Sequence, residues 1–419
     1  MRKFRKIAGA VAAGGAWLGG SQQHAPASTT DFSGYTYTNT PYYVDDNGAT
    51  AGAEAAPANA QLTWNSNAVI WDPAEDGTGT SIAYNNASLS GGVVLNTLNP
   101  DIVIGAGYSN ASNPNSVASP NLLTNAYNMI ISGGFQAEGI YIKDGAPTLL
   151  SGTTVGSRTI GADGITLEAT ATSANFKTGN GTNGGAYPLN LAASQTWTNN
   201  NTAATGTLSV SVPINGAAPT ATTYTLTLAN NNTASTATNN TFLVNGVISN
   251  GTAGGSLALN VASAAGTYVT LSPYANIVTA PTVTSPSTYS GGTNILGGIL
   301  DATSASALGT GNVTIAPSGT AAAELEMDVN TVLAATQSLT LTDNGPALAS
   351  AFLNYTGTDT ISALTDDGVP FAPGVYGPGA GGTPESFLSG TGTLTVVPEP
   401  ASLGFVGFGA LGLIRRRRK

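Results

Sequence analysis

Between Ser28 and Val397 the chain carries no convincing helical periodicity, and short runs with a period of two recur in its place. They include Leu208–Val212, Tyr224–Leu228, Leu257–Val261, Tyr268–Leu271, Asn312–Ile315, Leu339–Thr342 and Gly392–Val396. Each run puts its apolar residues on one face of a strand. Each is bounded by Gly, Asn, Pro or Asp, which supply left-handed or fixed-φ turn positions. Strands follow one another at roughly 10 to 20 residues with no helix between them, so the fold is all-β: a sandwich series, a barrel or a stacked solenoid. Thin Ala, Thr, Asn and Ser coils with few large residues favour the solenoid. Such a coil needs an inward apolar residue only at alternate positions, and Asn or Thr can ladder outside.

Charge narrows the function. Of 12 Lys and Arg, four open the chain (Arg2, Lys3, Arg5, Lys6) and five close it (Arg415, Arg416, Arg417, Arg418, Lys419). Only Lys143, Arg158 and Lys177 lie between, against all 22 acids, so this interior carries 3 − 22 = −19. Three cations cannot line a phosphate-binding face, which argues against nucleic acid. The only His is His24 and there is no Cys. Ser-His-Asp and Cys-His nucleophiles, His-rich zinc sites, iron–sulfur clusters and disulfides are excluded by inventory.

Both ends read as addresses. The basic stretch Met1–Lys6, the short apolar run Ile7–Gly20 and the small-x-small triplet Ala25–Ala27 have the layout of a secretory signal peptide over 1–27. At the other end, Pro398-Glu399-Pro400 precedes the apolar stretch Ser402–Ile414 and the basic flank Arg415–Lys419. Thirteen helical residues reach about 20 Å, short of the roughly 20 residues that span a bilayer, so the stretch predicts a marginal, transient transmembrane helix. The terminal cations would hold its end in the cytoplasm.

This order resembles the PEP-CTERM sorting signal of Gram-negative bacteria. The resemblance covers the last 22 residues, with Pro398, Glu399 and Pro400 as the sorting motif and Arg415, Arg416, Arg417, Arg418 and Lys419 as the membrane flank. It implies export to the cell envelope, cell surface or extracellular matrix, and recognition by an exosortase, a membrane protease that removes the tail. A second resemblance lies near 289–328. Tyr289, Gly291, Gly292, Thr293, Gly298, Leu300, Leu308, Gly309, Gly311 and Val313 sit on matching positions of the autotransporter-associated β-strand repeat. That resemblance implies coils of a right-handed parallel β-helix. The chain has no membrane β-barrel translocator of the autotransporter kind.

The expected organisation is a signal peptide at 1–27, a β-rich region at 28–190, a β-solenoid at 191–397 and the sorting signal at 398–419, with a break near Ala280–Ser287. Asp45-Asp46, Asp72 with Glu75-Asp76, Glu324, Glu326 and Asp328, and Asp366-Asp367 are the acidic clusters to consider for Ca²⁺. No EF-hand or calcium-binding nonapeptide accompanies them, so they read as solubilising charge, with no cofactor and no metal site. Tyr35, Tyr37, Tyr42 and Tyr43 could stack on sugar rings, and read more simply as a cap on the first coil. The expected role is structural or adhesive and non-catalytic, with extracellular polysaccharide as the candidate partner. The alternative is a polysaccharide-active glycosidase or lyase, for which paired carboxylates would be needed.

Overall fold

In the computed structural model, the described residues are strands between 29 and 151, then 158–169, 171–178, 188–276 and 280–397. They form β-strands joined by turns, and almost all of the strands belong to one large, curled, parallel sheet. The solenoid-like reading from period-2 patterning therefore stands. The signal segment 1–27 and the C-terminal segment 398–419, with its expected transmembrane helix, lie outside the described residues. Among the described residues no helix is long and apolar enough to cross a membrane.

Two ladders run through the stack. The first passes through Asp101–Ile104, Phe135–Ile142, Arg158–Leu167, Gln195–Asn199, Thr223–Asn230, Ser256–Ala262, Thr293–Ala302, Val313–Ile315, Ser338–Leu341 and Ala363–Asp366. The second passes through Ala146–Ser151, Ser173–Thr178, Thr207–Ser211, Phe242–Gly246, Tyr268–Asn276, the second half of Thr293–Ala302, Ala323–Met327, Ala349–Leu353 and Leu388–Gly390. Thr293–Ala302 belongs to both, turning the corner between the two faces without a break. Pairing crosses residue 190 continuously. The Pro-punctuated stretch near 280 forms a hairpin arm, Ala280–Thr284 pairing antiparallel with Tyr268–Asn276.

The core follows from the alternation. In-register columns of apolar side chains line the interior: Ile102, Ile140, Ile165, Trp197, Leu228, Val261, Ile295, Ile315 and Leu341 on one face, all fully buried. Opposite them stand Leu149, Phe176, Val210, Val244, Leu271, Ala302, Met327 and Leu353. Burying each large side chain contributes about 1.5–3 kcal/mol against chain entropy. Outward positions carry the expected polar rungs. Asn294 Nδ2 donates to Asn260 Oδ1 at 2.9 Å, and Ser249 Oγ to Asn215 Oδ1 at 2.6 Å.

Three residues of the second resemblance, Tyr289, Thr293 and Gly309, meet in the coil between 289 and 328. Tyr289 is fully buried and its hydroxyl meets Thr293 Oγ1 at 2.7 Å. Gly309 turns beneath it at φ 65°, where a Cβ would lie 2.4 Å from the Tyr289 carbonyl oxygen. Only Gly fits there. Tyr289→Phe should lower stability by about 1 kcal/mol, the usual net value of one hydrogen bond, measurable by urea denaturation. An unchanged midpoint would remove the hydroxyl from the account.

The C-terminal end is closed by antiparallel strands. Asp367 and Gly368, at φ 45° and 78°, form a two-residue turn that folds Val369–Pro370 back onto Ala363–Asp366. Positive φ at both central residues is the type I′ geometry. Asp366-Asp367, flagged as an acidic cluster, is thus a turn. Gly374–Tyr376 pairs antiparallel with Thr393–Val396 in a third, short sheet that also holds Thr358–Ile361. Phe371 packs edge-on against Tyr376 and Phe387, with ring centres 5.1 and 5.5 Å away.

Candidate functional site

Two features of the body carry chemistry. The first is the exit of the chain. Thr393–Val396 is the last strand, paired on both sides, and Val397 N still donates to Ile361 O at 3.1 Å. The next residue is Pro398. The sorting segment thus begins directly where the ladder stops. Pro has no N–H to offer a ladder and restricts the residue before it, so Pro398 is a fitting end to the pairing. Pro398, Glu399, Pro400, Arg415, Arg416, Arg417, Arg418 and Lys419 themselves lie outside the described residues.

The second feature is an acidic column on the outer face of the second ladder. Leu300 and Ala302 point inward, as do Leu325 and Met327. Alternation sends Asp301, Glu324 and Glu326 outward. Register sets Asp301 beside Glu326 and Ile299 beside Glu324. Thr270 Oγ1 donates to Asp301 Oδ2 at 3.1 Å, Ser350 Oγ to Glu324 Oε2 at 2.9 Å, and Asn354 Nδ2 to Glu326 Oε1 at 3.2 Å and Asp328 Oδ1 at 2.8 Å. Asp301 is only 5% exposed, and its Oδ1 has no hydrogen-bond partner. Burial, reinforced by the Asp328 charge and less by Glu326, pushes its carboxyl up to about 7. Burial and the Asp328 and Glu324 charges also raise Glu326.

The sequence pointed to Glu324, Glu326 and Asp328 as solvated charge. The structure places them together, with Glu326 buried rather than solvated. It also adds Asp301, which sequence spacing missed because its neighbour is a full coil away. Among the described residues no three or more His, Cys, Asp or Glu are arranged to hold a metal ion. Asp45, Asp46, Glu75 and Asp76 lie outside the described residues. So does Tyr35. Tyr42 and Tyr43 fall in Pro41–Val44, which pairs with Asp101–Ile104 and with Val69–Asp72, the strand that carries Asp72.

Two of the three interior cations are buried. Arg158 is fully buried and Lys143 is 4% exposed, which leaves Lys177 as the exposed cation among the described residues. The described surface is therefore acidic and polar. It offers no basic patch to a polyanion.

Residues 396–419 match the PEP-CTERM protein-sorting motif. The chain carries an exosortase sorting signal. The PEP-CTERM segment marks it as an exported, cell-surface-associated protein sorted by an exosortase. The match starts at Val396, inside the final strand, so folded body and sorting signal share Val396 and Val397. Searches of curated proteins and of solved structures return no match.

Proposed function

We propose that this PEP-CTERM chain is a non-catalytic structural or adhesive element of the bacterial surface or extracellular matrix, retained there through polysaccharide. In this reading residues 1–27 are the signal peptide that starts export, and the C-terminal helix is a transient membrane stop. The coils wind right-handed, as parallel crossovers do, and the resemblance near 289–328 to the autotransporter-associated repeat supports the same hand. The observation that carries the reading is the sorting signal joined without a spacer to a stacked polar solenoid. Long ladders of Asn, Ser and Thr on a surface poor in cations suit hydroxyl-rich, uncharged glycans. The acidic column is the one feature that favours a glycan-cleaving enzyme, since Asp301 and Glu326 are adjacent carboxyls with raised proton affinity.

Processing is tested by mass spectrometry of the mature C-terminus. The wild-type chain should lack Arg415–Lys419, and a variant with Pro398, Glu399 and Pro400 all changed to Ala should keep them almost completely. An intact tail on surface-exported wild-type protein would overturn processing. The role is tested by deletion: loss of matrix retention with no glycan turnover is expected. Turnover abolished by Asp301→Asn or Glu326→Gln would replace the structural role with the enzymatic one.

A further inference from the structure

Seven Asn-Gly pairs occur in the chain, and four fall among the described residues: Asn215-Gly216, Asn245-Gly246, Asn250-Gly251 and Asn344-Gly345. Chemically they are alike. Gly has no Cβ to shield its backbone nitrogen, so that nitrogen can close on the side-chain amide of the Asn before it. The fold treats the four differently.

Three are held in place, each with a half-buried Asn. Asn215 and Gly216 lie in Ile214–Gly216, which pairs with Leu189–Leu191 and with Ile248–Ser249, and Asn215 Oδ1 accepts from Ser249 Oγ at 2.6 Å. Asn245 and Gly246 lie in Phe242–Gly246, where Gly246 pairs with Tyr274 and Asn245 Nδ2 donates to Ser211 Oγ at 3.2 Å. Asn250 Oδ1 accepts from Leu257 N at 2.9 Å and Ser290 N at 3.1 Å, and its Nδ2 donates to Ser290 Oγ at 2.9 Å. Gly251 N donates to Ser249 Oγ at 3.3 Å. Moving any of these glycine nitrogens onto the side-chain carbon first breaks such bonds. Asn344 is different. It is exposed, and its backbone pairs with Ala347 through bonds of 2.9 and 3.1 Å that close a two-residue loop of Gly345 and Pro346. Gly345 takes φ 61° and Pro is confined to negative φ, the type II′ pattern. A Cβ on Gly345 would meet nothing within 4 Å, so the loop projects into open space. The side-chain amide is held by one hydrogen bond, from Nδ2 to Pro317 O at 3.1 Å.

We propose that Asn344 is a self-modification site, where the folded chain deamidates through a succinimide. Gly345 N bonds to Asn344 Cγ and gives up its proton, the Cγ–Nδ2 bond breaks, and Nδ2 leaves as ammonia. Water then opens the ring. Attack at Cγ returns an ordinary backbone with Asp at 344. Attack at the backbone carbonyl carbon leaves isoaspartate, in which the chain runs through Cβ and Cγ. No oxidant, metal or enzyme enters the balance. Either product replaces the Nδ2 donor by a carboxylate oxygen, so an acceptor faces the Pro317 carbonyl. It also adds a negative charge next to Asp343, whose N–H already donates to the Asp367 carboxylate at 2.9 Å. Isoaspartate further lengthens the backbone by one methylene inside the Asn344–Ala347 pair. The change therefore strikes the turn that joins Ser338–Leu341 of the first ladder to Ala349–Leu353 of the second.

The test ages the folded full chain in mildly alkaline buffer, with a parallel sample in urea, and maps chymotryptic peptides from both by mass spectrometry. Digestion under acidic conditions keeps new deamidation out of the map. In the folded sample the Asn344 peptide should gain the mass difference between an amide and a carboxyl group. Asn215, Asn245 and Asn250 should lag by about tenfold or more, since each must first break at least two hydrogen bonds. In urea the four rates should converge. Isoaspartyl methyltransferase should label the aged Asn344 peptide, because only the succinimide route yields isoaspartate. Three outcomes would overturn the proposal: an intact Asn344 in the folded chain after all four have converted in urea, equal conversion of the four in the folded chain, or aspartate alone as the product.

Discussion

Trp197→Ala lowers the stability of the stack by about 3–5 kcal/mol, the range for truncating a fully buried aromatic. Trp197 is fully buried, with Ile165 on the coil before it and Leu228 on the coil after it. Its Nε1 donates to Gln195 Oε1 at 2.8 Å, and Gln195 Nε2 in turn donates to Ile160 O at 3.1 Å. Truncation leaves a cavity between two rungs and strips a buried acceptor of its donor, which adds about 1 kcal/mol. Because each coil touches only its neighbours, the damage should be local. Hydrogen exchange should rise in Arg158–Leu167, Gln195–Asn199 and Thr223–Asn230, and stay unchanged in Ser338–Leu341. Uniform loss of protection across all four segments would contradict a nearest-neighbour stack. Trp197→Phe keeps most of the volume and should cost less than half as much.

Stability should rise as pH falls from about 8 to about 5, the reverse of a protein held by salt bridges. The folded-state carboxyl of Asp301 sits at about 7 against an ordinary 3.8. Unfolded, that group ionises at the ordinary value, so at pH 8 the native state alone carries the cost of a buried carboxylate. Protonation removes the cost progressively as pH drops through 7, and nothing remains to be gained below about 4. Asp359, 4% exposed and raised to about 6 by burial despite N–H donors from Leu333 and Thr360, acts in the same direction. Glu326 and Glu168 are raised as well. Lys143, lowered to about 8, loses its proton more readily when folded, so its contribution improves only above that pH. Asp301→Asn should therefore stabilise by on the order of 2–4 kcal/mol at pH 8 and by no more than about 1 kcal/mol at pH 4.5. Urea titrations of both chains across that range check it. A wild type most stable at pH 8, or an Asn variant no more stable there, would refute the assignment.

The alternating runs carried the fold because a β-coil writes its inward positions directly into a period of two. Leu257, Leu259 and Val261, read as one face of a strand, are fully buried. The turns were less legible. Asn199-Asn200-Asn201-Thr202-Ala203 recurs as Asn230-Asn231-Asn232-Thr233-Ala234, a repeat of 31 residues that marks two consecutive coils. It passed unnoticed because Asn reads as generic turn chemistry. In the structure, Asn199 and Asn230 are fully buried and hold the corner. Asn199 Nδ2 donates to Gly206 O and Thr241 O, and Asn230 Nδ2 to Thr241 Oγ1 and Tyr268 O. The acidic column was half legible. Glu324, Glu326 and Asp328 are close in sequence, whereas Asp301 joins them only through a register that spacing does not encode.

The antiparallel strands at the C-terminal end set how copies of this protein can assemble. An open stack of parallel rungs is a template on which another copy could dock and extend the ladder into a fibre. Val369–Pro370 covers the end of the first ladder and Gly374–Tyr376 the edge of the short sheet, and the second ladder ends in the three-residue strand Leu388–Gly390. Growth in the axial direction is blocked there. Many molecules on one surface would have to meet flank to flank, through their outward Asn, Ser and Thr rows, and so build a carpet rather than a filament.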